Sequence, residues 1–214
     1  MLSRLNAIEL DKVLIRYFTI EQLIEVAGQA CAIAIAKEFE PQQVCVLVGH
    51  GNNGNDALVC SRYLRLFGFQ VTVIAPKIKN QIFNTIDGFD IDLHKNTQDL
   101  SLIDDSTLIV DGLLGFSASG PPRDPYTDYI QFLASTSKKV VAIDIPSGWD
   151  VDKGDTYNTN YNPSMLISLS APKLFSRHFQ GIHYVGGRFI NKSIANQFNI
   201  NVDYPAYELV KKIQ

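Results

Sequence analysis

The chain carries a glycine-rich loop at residues 49–56, directly after the apolar run Val44–Val48, with the composition of a ligand-binding turn. Its three glycines have the spacing G-x-G-x-x-G, which presents backbone N–H groups at a helix N-terminus, where a polar or anionic ligand can approach. The loop also carries Asn52, Asn53 and Asp56, and the Asp56 carboxylate would repel a pyrophosphate placed against it. These residues indicate a polar ligand that is held differently from the pyrophosphate of an ordinary dinucleotide-binding fold.

Two more carboxylates stand where other apolar runs end. Asp111 and Asp144 each directly follow a run of aliphatic residues. Side chains at the carboxyl ends of parallel strands face the ligand crevice, although each aspartate could instead cap the following loop. With Asn53 and the Ser147 hydroxyl they form a set of hard oxygen ligands, which suits a cation better than a phosphate. These residue types leave the identity of the cation open.

A third polar turn covers residues 115–123, where glycine and small residues precede two prolines. A flexible segment that then becomes stiff indicates a loop that closes on a ligand, with an ordinary surface turn as the alternative.

The apolar pattern predicts the elements that hold these turns. Thr19 and Gln22 have the spacing of a capping box, and the apolar residues that follow predict a helix over about residues 21–39. Short aliphatic runs then alternate with helix-compatible segments, which is typical of a three-layer, Rossmann-like, doubly wound and mostly parallel α/β sheet with the strand order 3-2-1-4-5-6. The expected strands are 44–48, 71–75, a weak one at 91–93, 107–110, 140–145 and 165–169.

Composition narrows the class of protein. A chain of 214 residues with 46% hydrophobic content and a formal net charge of −3 predicts a single domain over residues 1–214. No cluster of lysine and arginine with interleaved aromatics indicates nucleic-acid binding, and no apolar stretch has the roughly 20 residues of a membrane span. The N-terminus lacks a secretory or transit pattern, so we expect a cytoplasmic protein, with a mitochondrial location left open.

Three ordered motifs resemble one family. The stretch 49–57 is similar to the pattern G-x-G-N-N-G-G-D-G, 110–115 to V-D-A-[IL]-[FL]-G, and 144–151 reproduces D-I-P-S-G-W-D-V without a change. The segments 170–173 and 183–189 resemble the eukaryotic branch. The chain thus resembles the NAD(P)H-hydrate epimerases, the YjeF N-terminal-domain family, of the apolipoprotein A-I-binding-protein type.

The resemblance implies an isomerase that interconverts the R and S forms of hydrated NADH and NADPH, a repair reaction. It implies one potassium ion per subunit, held by Asn53, Asp111 and Ser147. The substrate contacts that it implies are Asn52, Asn53, Gly54, Asn55, Asp56, Gly115, Phe116, Ser117, Ala118, Ser119, Gly120, Pro121 and Asp144.

The acid–base group is a hypothesis about one carboxylate. The hydrated ring carbon bears both a hydroxyl and a nitrogen, so inversion needs that group to be lost or opened and then added again from the other face. Asp144 is the crevice carboxylate that neither the cation nor the first loop uses, and we expect it to shuttle the proton.

Asn55 and Ala57 stand where the family pattern has glycine. If either backbone needed a positive φ, the loop would be strained, more severely at alanine than at asparagine.

Two other functions stay open at this point. One is a non-catalytic protein of the same fold that binds a nucleotide or an apolipoprotein A-I-type partner. The other is a nicotinamide-dependent oxidoreductase, which the glycine spacing favours, whereas Pro76 and Lys77 stand where the acidic ribose partner is expected.

The predicted helix at 21–39 has aliphatic residues on more than one face, which is more than one core-facing stripe requires. We therefore expect a homodimer.

Overall fold

The computed structural model describes residues 1–79, 81–201 and 203–214. The chain forms an eight-stranded sheet with the order β3-β2-β1-β4-β5-β6-β7-β8, parallel except for the antiparallel pair of β7 and β8. The strands are β1 (Gln43–Val48), β2 (Gln70–Ala75), β3 (Asp92–Lys95), β4 (Leu108–Gly112), β5 (Lys139–Ile143), β6 (Met165–Leu169), β7 (Ile182–Gly186) and β8 (Val210–Lys212). The α-helices are α1 (Arg4–Leu14), α2 (Ile20–Glu38), α3 (Asn52–Leu66), α4 (Thr127–Ser135) and α5 (Lys192–Phe198), with 3-10 turns at Phe83–Ile86, Leu100–Ile103 and Leu174–His178.

The fold class and the order of the first six strands are confirmed. The sequence prediction missed β7 and β8. β7 contains the polar His183, and β8 is a three-residue edge strand with two lysines, a composition that edge strands use against aggregation and that carries little apolar signal. The predicted strand at 140–145 ends two residues earlier, at Ile143, and Asp111 lies within β4 rather than after it.

The three layers follow from burial on both faces of the parallel strands. Alternate residues of β1, such as Val44, Val46 and Val48, pack in the core that α2 and α3 cover. Their neighbours Cys45 and Leu47 pack on the opposite face, in the cluster that contains α4. Because both faces are covered, the strands read as continuous aliphatic runs rather than as alternating ones.

The capping box at the start of α2 is confirmed: the Thr19 hydroxyl accepts a hydrogen bond from Gln22 N, and the Gln22 side chain accepts one from Thr19 N. The two apolar faces of α2 are both covered within the chain. Residues from Ala30 to Ile35 pack against α3 and the sheet, whereas Leu23, Val26 and Ala27 pack against α1 and Phe189. The surplus apolar surface that suggested a homodimer is therefore used inside the subunit.

The sequence prediction also missed α1, the helix closest to the N-terminus. Its buried face consists of Ala7, Leu10 and Leu14, at helical spacing, and Ser3 caps its first turn by accepting a hydrogen bond from Asn6 N. The preceding residue, Leu2, bridges to Lys173 and exchanges backbone hydrogen bonds with Pro172 and Leu174. Both ends of the chain's first segment are thus fixed beside the end of β6.

Among the described residues no helix combines the length and the apolarity that a membrane crossing requires.

The glycines of the first loop are needed for close packing rather than for an unusual φ. A Cβ atom at Gly54 would lie 1.9 Å from the Gly49 carbonyl oxygen, and one at Gly49 would lie 1.7 Å from the Leu113 carbonyl oxygen. At Gly51, the N-cap of α3, a Cβ would meet nothing within 4 Å.

We predict that Gly54→Ser lowers the free energy of unfolding by about 1–3 kcal/mol, because the added side chain displaces backbone in a packed turn. The matched Gly51→Ser should change it by less than about 0.5 kcal/mol, since serine is accepted at a helix N-cap. Urea unfolding of the two variants measures both, and equal stabilities would contradict this role of Gly54.

Candidate functional site

A cavity of about 220 Å³ opens at the carboxyl ends of the strands, under α1 and α2. One wall is apolar and comes from these two helices, and the opposite wall is polar and comes from strand ends and the start of α3. The polar lining consists of Asp11, Asn52, Asn53, Asp56, Ser117, Asp144, Ser170 and Lys173. The cavity lies beside the neighbouring strands β1 and β4, where the order of the sheet reverses, which is where doubly wound folds bind ligands.

The glycine-rich loop is shorter than its sequence suggests, because α3 already begins at Asn52. Asn52, Asn53 and Asp56 line the cavity. Asn55 lies elsewhere and accepts a hydrogen bond from Ile82 N at 3.1 Å. Asn55 and Ala57 both lie in α3, and neither has a positive φ. Replacing the glycines of the family pattern therefore causes no backbone strain at these two described positions.

Asp111 organises the two loops that follow β4 and β5. Its carboxylate is fully buried and accepts hydrogen bonds from Leu113 N at 3.1 Å, Ser147 N at 2.9 Å and the Ser147 hydroxyl at 2.6 Å. The Ser147 hydroxyl in turn accepts a hydrogen bond from Leu114 N at 3.0 Å. Burial raises the pKa of Asp111, and the hydrogen bonds from Ser147 oppose that rise. Asp111 does not line the cavity but lies behind its wall.

The oxygen atoms in this region are of the types that bind a hard cation. Among the described residues, the buried side-chain amide oxygen and nitrogen of Asn53 have no hydrogen-bond partner, and the same is true of the buried Tyr161 hydroxyl. An unpartnered buried amide is costly unless a ligand or ion satisfies it. Among the described residues, no group of three or more His, Cys, Asp or Glu side chains could hold a metal ion, so a cation here would depend on mixed amide, carboxylate and hydroxyl oxygens, which suit a hard cation.

Asp144 forms a buried ion pair with Lys173. One carboxylate oxygen accepts a hydrogen bond from the Lys173 ammonium group, and the other accepts one from Phe116 N at 3.0 Å. Lys173 also donates to the Leu169 carbonyl at 2.8 Å. The exposed fractions of Asp144 and Lys173 are only 4% and 3%. Asp144 has a φ of 67°, an uncommon conformation for a residue other than glycine that is often kept at functional sites.

The loop at 115–121 divides between two surfaces. Gly115, Phe116 and Ser117 line the cavity, while Ala118, Ser119 and Gly120 line a smaller pocket that also contains Trp149 and Tyr157. Pro121 lines neither. The Arg4 guanidinium of α1 holds the loop by donating to the Phe116 and Ala118 carbonyl oxygens at 3.0 and 2.7 Å.

The structure therefore brings together part of the predicted substrate set. The cavity collects Asn52, Asn53, Asp56, Gly115, Phe116, Ser117 and Asp144, and it leaves out Gly54, Asn55 and the second half of the 115–121 loop. It adds Lys173 and Asp11, to which the sequence had given no site role. Lys173 stands four residues after β6, a position comparable to those that drew attention to Asp111 and Asp144. Asp11 has no such signal, because it lies on a helix.

A doubly wound α/β sheet with a ligand cavity at the reversal of its strand order defines the class of this protein. Residues 20–175 match the family described as "YjeF-related protein N-terminus". The chain belongs to this family.

Relatives and a solved structure agree with that assignment over nearly the whole chain. A protein of Entamoeba histolytica named NAD(P)H-hydrate epimerase is 40% identical over 99% of this chain and 98% of its own length. A protein of Schizosaccharomyces pombe with the same name is 36% identical over 92% of this chain and 87% of its own. A yeast protein of known crystal structure is 33% identical, with a TM-score of 0.94 over 100% of this chain and 99% of that chain.

We predict that Asp111→Ala destabilises the protein by about 2–4 kcal/mol, because Leu113 N and Ser147 N lose their buried acceptor. Chemical denaturation measures the change. Asp105→Ala, outside the cavity and outside this network, is the control and should shift stability by less than about 0.5 kcal/mol. Equal effects would show that the Asp111 carboxylate is not what holds the two loops.

Proposed function

We propose that this chain is an NAD(P)H-hydrate epimerase that interconverts the R and S forms of hydrated NADH and NADPH. The observation that carries the proposal is the cavity at the strand reversal, which joins the Asp144–Lys173 ion pair to the start of α3. The names of relatives that are 40% and 36% identical over nearly full length support the same activity. In this proposal the 214 residues act as one domain.

The substrate contacts are those of the family pattern: Asn52 to Asp56, Gly115 to Pro121, and Asp144. The apolar wall formed by α1 and α2 supports a role in holding the uncharged ring, since it excludes water from one side of the cavity. The N-terminus of α3 and the 115–121 backbone would serve the polar part of the nucleotide. Asn55 and Gly54 would then act through the shape of the turn, since their neighbours fill the cavity wall.

Asp144 is the proposed acid–base group. Its carboxylate pairs with the Lys173 ammonium group, and in this proposal it begins the cycle as the proton acceptor. Phe116 N fixes the second carboxylate oxygen and so fixes the orientation of the group. Lys173 is a positioning residue that keeps the carboxylate charged and aimed into the cavity.

Potassium is the proposed cofactor, with one ion per subunit and Asn53, Asp111 and Ser147 as its ligands. The unpartnered Asn53 amide oxygen and the buried Asp111 carboxylate support this assignment. A bound cation would offset the buried negative charge and fix the loops after β4 and β5. A homodimer and an apolipoprotein A-I-type partner are further proposals that the family resemblance supports, and a cytoplasmic location is proposed from the N-terminal sequence.

The first test is catalysis itself. We predict that the purified protein equilibrates a pure R or S hydrate without added nicotinamide oxidant or ATP, because epimerisation is neither a redox nor an ATP-driven reaction. Chromatographic separation of the two epimers over time measures it, against the spontaneous rate in buffer. An epimer that stays pure beyond the spontaneous rate would refute the proposal and favour a binding protein.

The second test separates chemistry from charge balance. Asp144→Asn should lower kcat by about 10²-fold or more, the usual effect of a general acid or base, and it also leaves Lys173 buried without its partner, which costs stability. The double variant Asp144→Asn/Lys173→Gln removes that unpaired charge and should regain stability without regaining kcat. Recovery of turnover in the double variant would mean that Asp144 is needed only to balance Lys173.

A further inference from the structure

Helix α1 contributes the carboxyl group of Asp11 to the cavity, and no sequence motif predicted this residue as part of the site. Asp11 lies one residue after the buried Leu10 and on the same face of α1 as Ala7 and Leu14. With these neighbours it lines the cavity whose opposite wall holds Asp144 and Lys173. The matched family model begins at residue 20, so α1 lies outside it.

Contacts at the start of α1 hold the helix that carries Asp11 beside the cavity. Leu2 pairs with the backbone on either side of Lys173, through hydrogen bonds of 2.8 and 2.9 Å. Arg4 donates to two carbonyls of the 115–121 loop, and Arg4 N donates to the Asp152 carboxylate at 2.9 Å. These contacts attach the start of α1 to the segment around Lys173 and to the 115–121 loop, both of which line the cavity.

We propose that Asp11 is a second catalytic carboxyl group, which works from the helix wall of the cavity opposite Asp144. The inference rests on the proposed epimerase function. Inversion of one carbon needs proton transfer on both of its faces, and the cavity offers Asp11 from α1 in addition to the carboxyl groups of Asp56 and Asp144.

The proton balance of the step assigns a role to each group. Protonated Asp11 gives its proton to the ring hydroxyl, the C–O bond breaks, water leaves, and the ring nitrogen's lone pair forms a C=N bond. A water molecule on the other face then adds to the carbon, the C=N electron pair returns to nitrogen, and the added water loses its proton to Asp144. Exchange with solvent returns the proton from Asp144 to Asp11, and the reverse direction uses the same steps backwards.

The electrostatic surroundings suit these roles. The Asp11 residue is exposed to solvent, yet the protein around its carboxyl group removes enough water to raise its pKa to about 6, with Lys173 lowering and Asp144 raising the value. Asp56, the titratable group that α3 contributes to the cavity, has a pKa raised well above its usual range by burial, then by Asp144 and Asp11. The lining contributed by α2 is apolar. Of the carboxyl groups that line the cavity, Asp11 is the one that combines a raised pKa with access to solvent, which suits a group that exchanges protons.

The test compares wild type, Asp11→Asn, Asp11→Glu and the control Glu9→Gln. Glu9 lies on the same helix, is exposed and pairs with Lys12, so its change should leave turnover intact. We expect Asp11→Asn to lower kcat by about 10²-fold, and Asp11→Glu to recover at least about a tenth of the wild-type rate.

The pH dependence distinguishes catalysis from a structural effect. In this proposal the active site needs one proton on the Asp11–Asp144 pair in either direction, and burial favours the protonated form of Asp11. The wild-type kcat/KM should therefore decline as pH rises through about 6, and this decline should be absent from the residual activity of Asp11→Asn.

Three outcomes decide the proposal. Wild-type turnover in Asp11→Asn overturns it, and so does reduced turnover that keeps the wild-type pH profile, because the latter marks a structural role. A wild-type protein that does not epimerise the hydrates refutes the underlying function instead, and thermal unfolding of each variant identifies any loss that comes from misfolding.

Discussion

The buried ion pair between Asp144 and Lys173 is the interaction on which the rest of the site depends. Two charges taken out of water are stable only if further hydrogen bonds complete their shells, and two other segments supply these here. Phe116 N serves the carboxylate, the Leu169 carbonyl serves the ammonium group, and Leu2 pairs with the backbone beside Lys173. A change at any of these segments reaches the pair directly, so the N-terminus, the 115–121 loop and the ends of β5 and β6 form one mechanical unit.

A second buried carboxylate plays a different part. Asp111 receives three hydrogen bonds from backbone and serine but, among the described residues, no ion pair. Its network and the close contact between Gly49 and Leu113 hold the loops after β1, β4 and β5 against one another. The two aspartates thus have different roles. Asp111 holds the loops together, and Asp144 faces the cavity with Lys173 as its cationic neighbour.

The sequence predicted the parts of the fold that carry strong local signals. Aliphatic runs that are buried on both faces gave the first six strands and their order, and the capping box gave the start of α2. The sequence could not identify α1 as part of the site. The amphipathic pattern of residues 4–14 indicates that one helix face is buried, but it does not indicate which residues cover that face. Asp11 and Lys173 joined the site through contacts between segments more than 150 residues apart, a distance over which no local pattern carries information. The second apolar face of α2 illustrates the same limit. A helix face that packs against a partner subunit and one that packs against α1 have the same apolar sequence pattern, so the sequence cannot distinguish them.

The backbone pairing of Leu2 with the residues around Lys173 also constrains the order in which the protein can fold. During synthesis α1 and α2 leave the ribosome first, but the strand end that receives Leu2 follows about 170 residues later. At the 5–20 residues per second of translation this delay is on the order of ten seconds or more. Throughout that time Leu10 and Leu14 lack those of their final partners that follow β6, among them Ala171 and Phe189, and such exposed surface is where nascent chains aggregate or recruit chaperones. The contact that attaches α1 beside Lys173 also closes one of the longest loops of the chain, so the site forms late in folding.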